Sequence, residues 1–136
     1  MQSLFTADEF VLKYPCIYGI STSMRHMKLG YWLSVHPDIA LQYEEDISDY
    51  RKESKHAAYH LTYLDDQSSY LMIKNRGTKH HFYSKYKQAD YLLCSMNEEE
   101  INSELVQIVA QLTGISICFA LNNPSSKEIL NFTQLQ

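Results

Sequence analysis

Between residues 57 and 96, four β-rich runs follow one another with links of only a few residues, and this spacing most constrains the fold. Tyr59, Leu61 and Tyr63 alternate with His60, Thr62 and Leu64, a period of two that sends successive side chains to opposite faces of a sheet. Asp65, Asp66, Gln67 and Ser68 carry a turn signal, and residues 70–75 read as the returning strand. Asn75, Arg76 and Gly77 form a second turn signal, since glycine readily supplies a positive φ. Residues 80–84 and 89–96 are expected as the third and fourth strands. Links this short join antiparallel neighbours, because a parallel pair needs a crossover of a dozen residues or more.

Two helical patterns flank this meander. Residues 13–21 form a β-rich run in which Pro15 suggests an edge position or a strand entrance. The Ser21, Thr22, Ser23 cluster then offers helix caps. Met24, Met27, Tyr31 and Val35 follow at helical spacing with Trp32 beside them, and they are expected in the core. Pro37 should stop this helix at His36. Gly30, costly inside a helix, implies close packing at that point. Leu41 and Tyr43 fit a short strand or helix, and the acidic residues from Glu44 to Asp49 a solvated loop.

The second helix is capped by Asn97 with Glu100 three residues on, and carries Ile101, Leu105, Ile108, Val109 and Leu112 as one stripe. Gly114 ends it. Residues 115–121 form a last strand with Ile115, Ile117, Phe119 and Leu121 on one face. The expected fold is α+β: a two-layer sandwich of a mostly antiparallel sheet with two helices, ferredoxin-like with an extended meander. Residues 1–121 make one domain, and 122–136 a polar tail into which Ile129, Leu130 and Phe132 bring docking side chains.

Composition narrows the function classes. A net charge of −4 argues against a surface made wholly for nucleic acid or anionic membrane. Cys16, Cys94 and Cys118 are widely spaced, odd in number and set in apolar runs, which points to buried thiols and a reducing cytoplasm. Asp8 and Glu9 sit where a signal peptide needs positive charge, and no run approaches the roughly 18 apolar residues of a membrane helix. Eleven tyrosines suit half-buried sheet faces and interfaces.

Several segments resemble a known family. Tyr18-Gly19-Ile20-Ser21, Lys28-Leu29 and Tyr31-Trp32-Leu33 are similar to its "GIS…(K/R)L.W.L" opening. Leu71-Met72-Ile73-Lys74-Asn75-Arg76-Gly77 is similar to its strand and turn. Tyr83-Ser84-Lys85 with Ala89-Asp90-Tyr91 stands in the place of the motif that names the IPExxxVDY family, a bacterial family of uncharacterised function. Here the Ile-Pro-Glu half is replaced, and only Asp90 and Tyr91 keep the second half. The resemblance runs from about Lys13 to Leu121, and it implies a compact domain without a defined activity.

The strongest local anomaly is residues 74–87. Five of the twelve Lys and Arg, namely Lys74, Arg76, Lys79, Lys85 and Lys87, lie there with no acid among them. Phe82, Tyr83 and Tyr86 are interleaved. Basic side chains track phosphates and exposed rings stack on unpaired bases, so RNA is one partner such a segment fits, and an acidic protein another. A solvated hairpin rim is the plain alternative. His56 and His60 are four apart, roughly 13 Å on a strand, too far to share an ion. His80 and His81 would need further ligands, so no metal is expected. Asp90 is expected to accept hydrogen bonds from turn backbone, or to pair with Lys85 or Lys87.

No catalytic constellation, cofactor motif or phosphate-binding glycine loop is present. The expectation is therefore a non-enzymatic cytoplasmic binding or adaptor domain acting through protein contacts, self-associating through a tyrosine-rich sheet surface as a homodimer. An RNA-binding accessory protein using 74–87 is the first alternative, and a small enzyme with Asp90 and the histidines as candidates is the second.

Overall fold

The computed structural model describes residues 16–95, 100–125 and 128–135. Among these residues, eight strands and three helices run in the order β1 (Ile17–Thr22), α1 (His26–Ser34), β2 (Ile39–Tyr43), β3 (Ile47–Ser48), β4 (Lys55–His56), β5 (Ala58–Tyr63), β6 (Ser68–Lys74), β7 (Tyr91–Ser95), α2 (Ser103–Ala110), β8 (Ile115–Ala120) and α3 (Ile129–Thr133). Six strands form one sheet in the order β2-β5-β6-β7-β1-β8, antiparallel at every junction. β3 and β4 pair separately as a small hairpin. Since β1 lies between β7 and β8, the unit β7–α2–β8 is a split βαβ, and β2, β5, β6 and β7 form the enlarged meander. The chain is thus an α+β sandwich.

Alternation along the strands explains how both sheet faces are used. Ile20, Tyr59, Leu61, Tyr63, Tyr70, Met72, Tyr91 and Leu93 face α1 and α2, packing with Leu29, Leu33, Leu105 and Val109. The intervening Ile17, Ala58, Leu71, Ile73, Leu92 and Cys94 face the other way, where Phe82, Tyr83, Ala89, Ile129 and Phe132 cover them. The docking expected of the tail is realised for Ile129 and Phe132, both buried, whereas Leu130 is exposed.

Several local expectations are met and others corrected. Gly30 does mark a close approach: a Cβ there would lie 2.7 Å from Tyr59 Oη and 2.9 Å from Tyr43 Oη. Gly114, expected to end the second helix, takes φ +95 in the turn directly before β8, whereas α2 stops at Ala110 with Gln111 as its C-cap. Gly77, in contrast, has no positive φ; a Cβ there would come within 2.4 Å of Ser54 Oγ and the His56 ring. Residues 80–84 are not a strand, because Arg76 and His81 make one isolated bridge before a 3-10 turn at Ser84–Tyr86.

No side chain caps α1; Thr22 Oγ1 instead accepts from Met24 N–H (3.1 Å) and donates to Gly114 O (2.7 Å). The cap of α2 is Asn102, whose side chain accepts from Glu104 N–H at 2.8 Å. Asn97, the residue expected in that role, lies outside the described residues, as do Pro15 and the acidic pair Asp8 and Glu9. On β8, a register shift opposite Ser21 and Thr22 splits the expected single face, so Ile115 packs toward the helices while Phe119 and Leu121 pack on the other side. Ile117 is exposed.

The largest correction concerns α1. Its core face is Leu29, Gly30 and Leu33, while Met27, Tyr31 and Val35 stand out in solvent at 67%, 58% and 52% exposure. Of the residues expected in the core, Met24 is buried and Trp32 packs partly buried against the same cluster, whereas Met27, Tyr31 and Val35 form an outer stripe. Both stripes are apolar, so spacing alone gave no means of choosing the buried one.

Candidate functional site

A cleft with a volume of about 590 Å³ opens on the face away from α1 and α2. Three pieces of chain wall it: the loop between β3 and β4 (Asp49, Arg51, Glu53), the segment after β6 (Lys79, His80, His81, Ser84, Lys87), and α3 with the residues leading into it (Ser125, Glu128, Asn131). Asn131 ties two walls together, accepting from Tyr50 N–H at 2.9 Å and donating to Phe82 O at 3.0 Å. Glu128 accepts from the Ser84 hydroxyl at 2.8 Å and also from Ser84 N–H.

The loop between β3 and β4 is organised around Asp49. Its Oδ1 accepts from Glu53 N–H (2.8 Å) and Ser54 N–H (3.1 Å), and the residue is buried at 5% exposure. The acidic stretch is therefore a solvated loop only through Asp46. Ser54, fully buried, accepts from Lys79 N–H and His80 N–H, each at 3.0 Å. This hydroxyl locks the backbone of 79–80 against the Asp49 loop, which explains why Gly77 has no room for a side chain. The outcome is that one ligand atom each from Asp49, Glu53 and His80 lies within 4.8 Å of the others. The histidines considered in the sequence do not gather, since His56 is buried against Phe82 and His60 sits half-buried on β5.

The basic segment is divided by the fold. Lys74, Arg76, Lys79, Lys85 and Lys87 are exposed, whereas Phe82 and Tyr83 are fully buried and Tyr86 is half-buried against them. A buried ring has no face to offer a base, so the stacking role expected for Phe82 and Tyr83 is not available in this arrangement. They are core because Asn75, itself buried, reels the segment in: its side chain accepts from Tyr83 N–H and donates to the carbonyls of Tyr83, Tyr86 and Ala89. Their apolar bodies alone did not distinguish a stacking platform from a second core.

Asp90 and Tyr91 join the start of β7 to the end of β1 and the link that leads into α1. Asp90 Oδ2 accepts from Thr22 N–H at 2.8 Å, a backbone partner rather than Lys85 or Lys87. Tyr91 is buried and its hydroxyl donates to Met24 O at 3.2 Å. The three cysteines are free thiols; burial pushes the Cys94 thiol up strongly and that of Cys118 to about 11, so neither is a ready nucleophile.

Among the described residues, two histidines have a buried ring nitrogen without a partner, His26 Nδ1 and His56 Nε2. His26 stacks on Tyr59 at 4.0 Å, and the Tyr59 hydroxyl donates to the His26 carbonyl. Burial, with Lys74 adding to it, holds His26 below the ordinary histidine value; burial does the same to His56.

Tyrosine does not form a broad exposed surface. Tyr59, Tyr63, Tyr70, Tyr83 and Tyr91 are core, while Tyr31 and Tyr43 are the tyrosines that stand out in solvent among the described residues. Tyr43, 49% exposed, lies at the end of edge strand β2 and its hydroxyl reaches Gly30 of α1. Met27, Tyr31 and Val35 recur at i, i+4 and i+8 and so line one outer face of that helix. By comparison, the outer residues of α2 are Ser103, Glu104, Gln107, Ala110 and Gln111. No helix of the described residues is long and apolar enough to cross a membrane. Searches for relatives returned none: no family description, no curated protein and no solved structure matches this chain.

Proposed function

We propose that this chain is a non-enzymatic cytoplasmic binding domain acting through protein–protein contacts, with a second copy of itself as the first partner. The observation that carries the proposal is the exposed row of Met27, Tyr31 and Val35 on α1, beside Tyr43 at the open edge of β2. Methionine and tyrosine are enriched where proteins meet, and exposed large apolar residues in one row rather than singly mark such a face.

Self-pairing follows from the neighbouring strand. β2, reading Ile39-Ala40-Leu41-Gln42-Tyr43, has no charge and no proline. Edge strands that must stay unpaired usually carry one or the other. A two-fold copy set against β2 continues an antiparallel sheet and brings the same patch against itself. β8, the opposite edge, is also uncharged, but the helix beside it turns polar residues outward. That contrast favours the β2 side.

The resemblance to the IPExxxVDY family belongs to this reading, since it implies a compact domain and no reaction. The cytoplasmic placement is supported by three free thiols, Cys94 buried and Cys16 and Cys118 half-buried. RNA binding has less support, with Phe82 and Tyr83 in the core.

Sedimentation velocity over a wide concentration range tests the proposal. The wild-type chain should form dimers, and Met27→Ser combined with Tyr31→Ser should be a folded monomer. A wild-type chain that stays monomeric throughout removes the second copy as partner.

A further inference from the structure

We propose that Asp49, Glu53 and His80 form a binding site for a divalent transition cation of the zinc class, with one coordination position left open to the cleft. This site is independent of the α1 surface. Two carboxylates and an imidazole are a donor set that such ions accept, and the imidazole nitrogen sets it apart from the all-oxygen cages of calcium.

The distances fit a site that closes on its ion. Bonds of about 2.1 Å in a tetrahedron put ligand atoms about 3.4 Å apart, and here the three lie within 4.8 Å of one another. Glu53 and His80 are exposed and free to move the remaining ångström, while Asp49 is anchored by two backbone amides.

Charge supplies the second observation. Asp49 is buried, the two hydrogen bonds that its carboxylate accepts among the described residues both fall on Oδ1, no cationic side chain there forms an ion pair with it, and Oδ2 is not one of the buried atoms left without a partner, so that oxygen keeps access to the cleft. Buried carboxylates are ordinarily paired or bound to a metal. A cation between Asp49, Glu53 and His80 would meet the Asp49 charge at Oδ2, the oxygen not held by backbone amides.

Ser54 acts as a positioning residue. It donates its N–H to Asp49 Oδ1 and accepts from His80 N–H, so one buried residue sets the spacing of two ligands. With three protein ligands, the fourth position faces a cleft lined also by Arg51, Lys79 and Lys87. An anionic group completing the coordination would meet those cations.

Titration calorimetry of the untagged full chain with Zn²⁺, and the visible spectrum with Co²⁺, test the site. One equivalent should bind, and Glu53→Gln and His80→Ala should each weaken binding by about tenfold or more. Both substitutions are at exposed side chains, so melting curves without metal should be unchanged. Asp49→Asn should abolish binding. Absence of saturable Zn²⁺ and Co²⁺ binding overturns the proposal, as does binding equally tight in Glu53→Gln and His80→Ala.

Discussion

Asn75 and Tyr83 bind one another twice: the Asn75 carbonyl oxygen accepts Tyr83 N–H at 2.8 Å, and the Asn75 amide donates to Tyr83 O at 3.3 Å. The same amide reaches Tyr86 O at 3.0 Å and Ala89 O at 2.9 Å, so one buried side chain serves the backbone of an excursion that has no strand or long helix of its own. Replacing Asn75 with Ala leaves several buried polar groups unpaired, each costing about 1–3 kcal/mol. Asn75→Ala should therefore destabilise the chain by about 3 kcal/mol in urea unfolding. A loss below about 1 kcal/mol would show that the excursion holds without it.

Gly30 gives a prediction with the opposite sign from helix propensity. Alanine at an ordinary helix interior would gain about 1 kcal/mol. Here its methyl would meet the Tyr59 hydroxyl at 2.7 Å, and that hydroxyl is engaged with the His26 carbonyl. Overpacking costs about 1–3 kcal/mol, so Gly30→Ala should lower the melting temperature. A raised melting temperature would mean that α1 can lift from β5 without loss.

Acid should weaken the fold through His26 and His56. Both have native values below the ordinary 6.5, chiefly through burial. The unfolded chain then binds more protons than the native one below that pH, so their contribution is complete above about pH 6.5 and is lost as pH falls. Melting temperature should drop between about pH 7 and pH 5, and NMR titration of the two rings should give midpoints under 6.5. A midpoint at or above that value for both rings would remove this explanation.

Much of the architecture was legible because patterns two and three to four residues long report directly on strands and helices. The alternation at Tyr59, Leu61 and Tyr63 became β5, and Leu105 and Val109 made the buried face of α2. What stayed hidden depends on contacts far apart in sequence. The outer stripe of α1 is as apolar as its inner one, so only the sheet beneath shows which is buried. Phe82 and Tyr83 read as exposed rings because a buried Asn75 seven and eight residues earlier draws them inward. Asp49, Glu53 and His80 meet only because Ser54 joins two loops 26 residues apart. The one trace of that in the sequence is Gly77, read there as a turn residue.

The central claim is the self-pairing surface of α1 and β2, and amide exchange tests it at single residues. The alternation of paired and open groups, fixed by Glu44 N–H to Ala58 O and Leu64 N–H to Asp38 O, turns the Leu41 and Tyr43 amides to the open edge of the sheet. Exchange at Leu41 and Tyr43 should slow as protein concentration rises, and Tyr31→Ser should restore fast exchange at every concentration. Rates at these two amides that do not change with concentration would contradict the account.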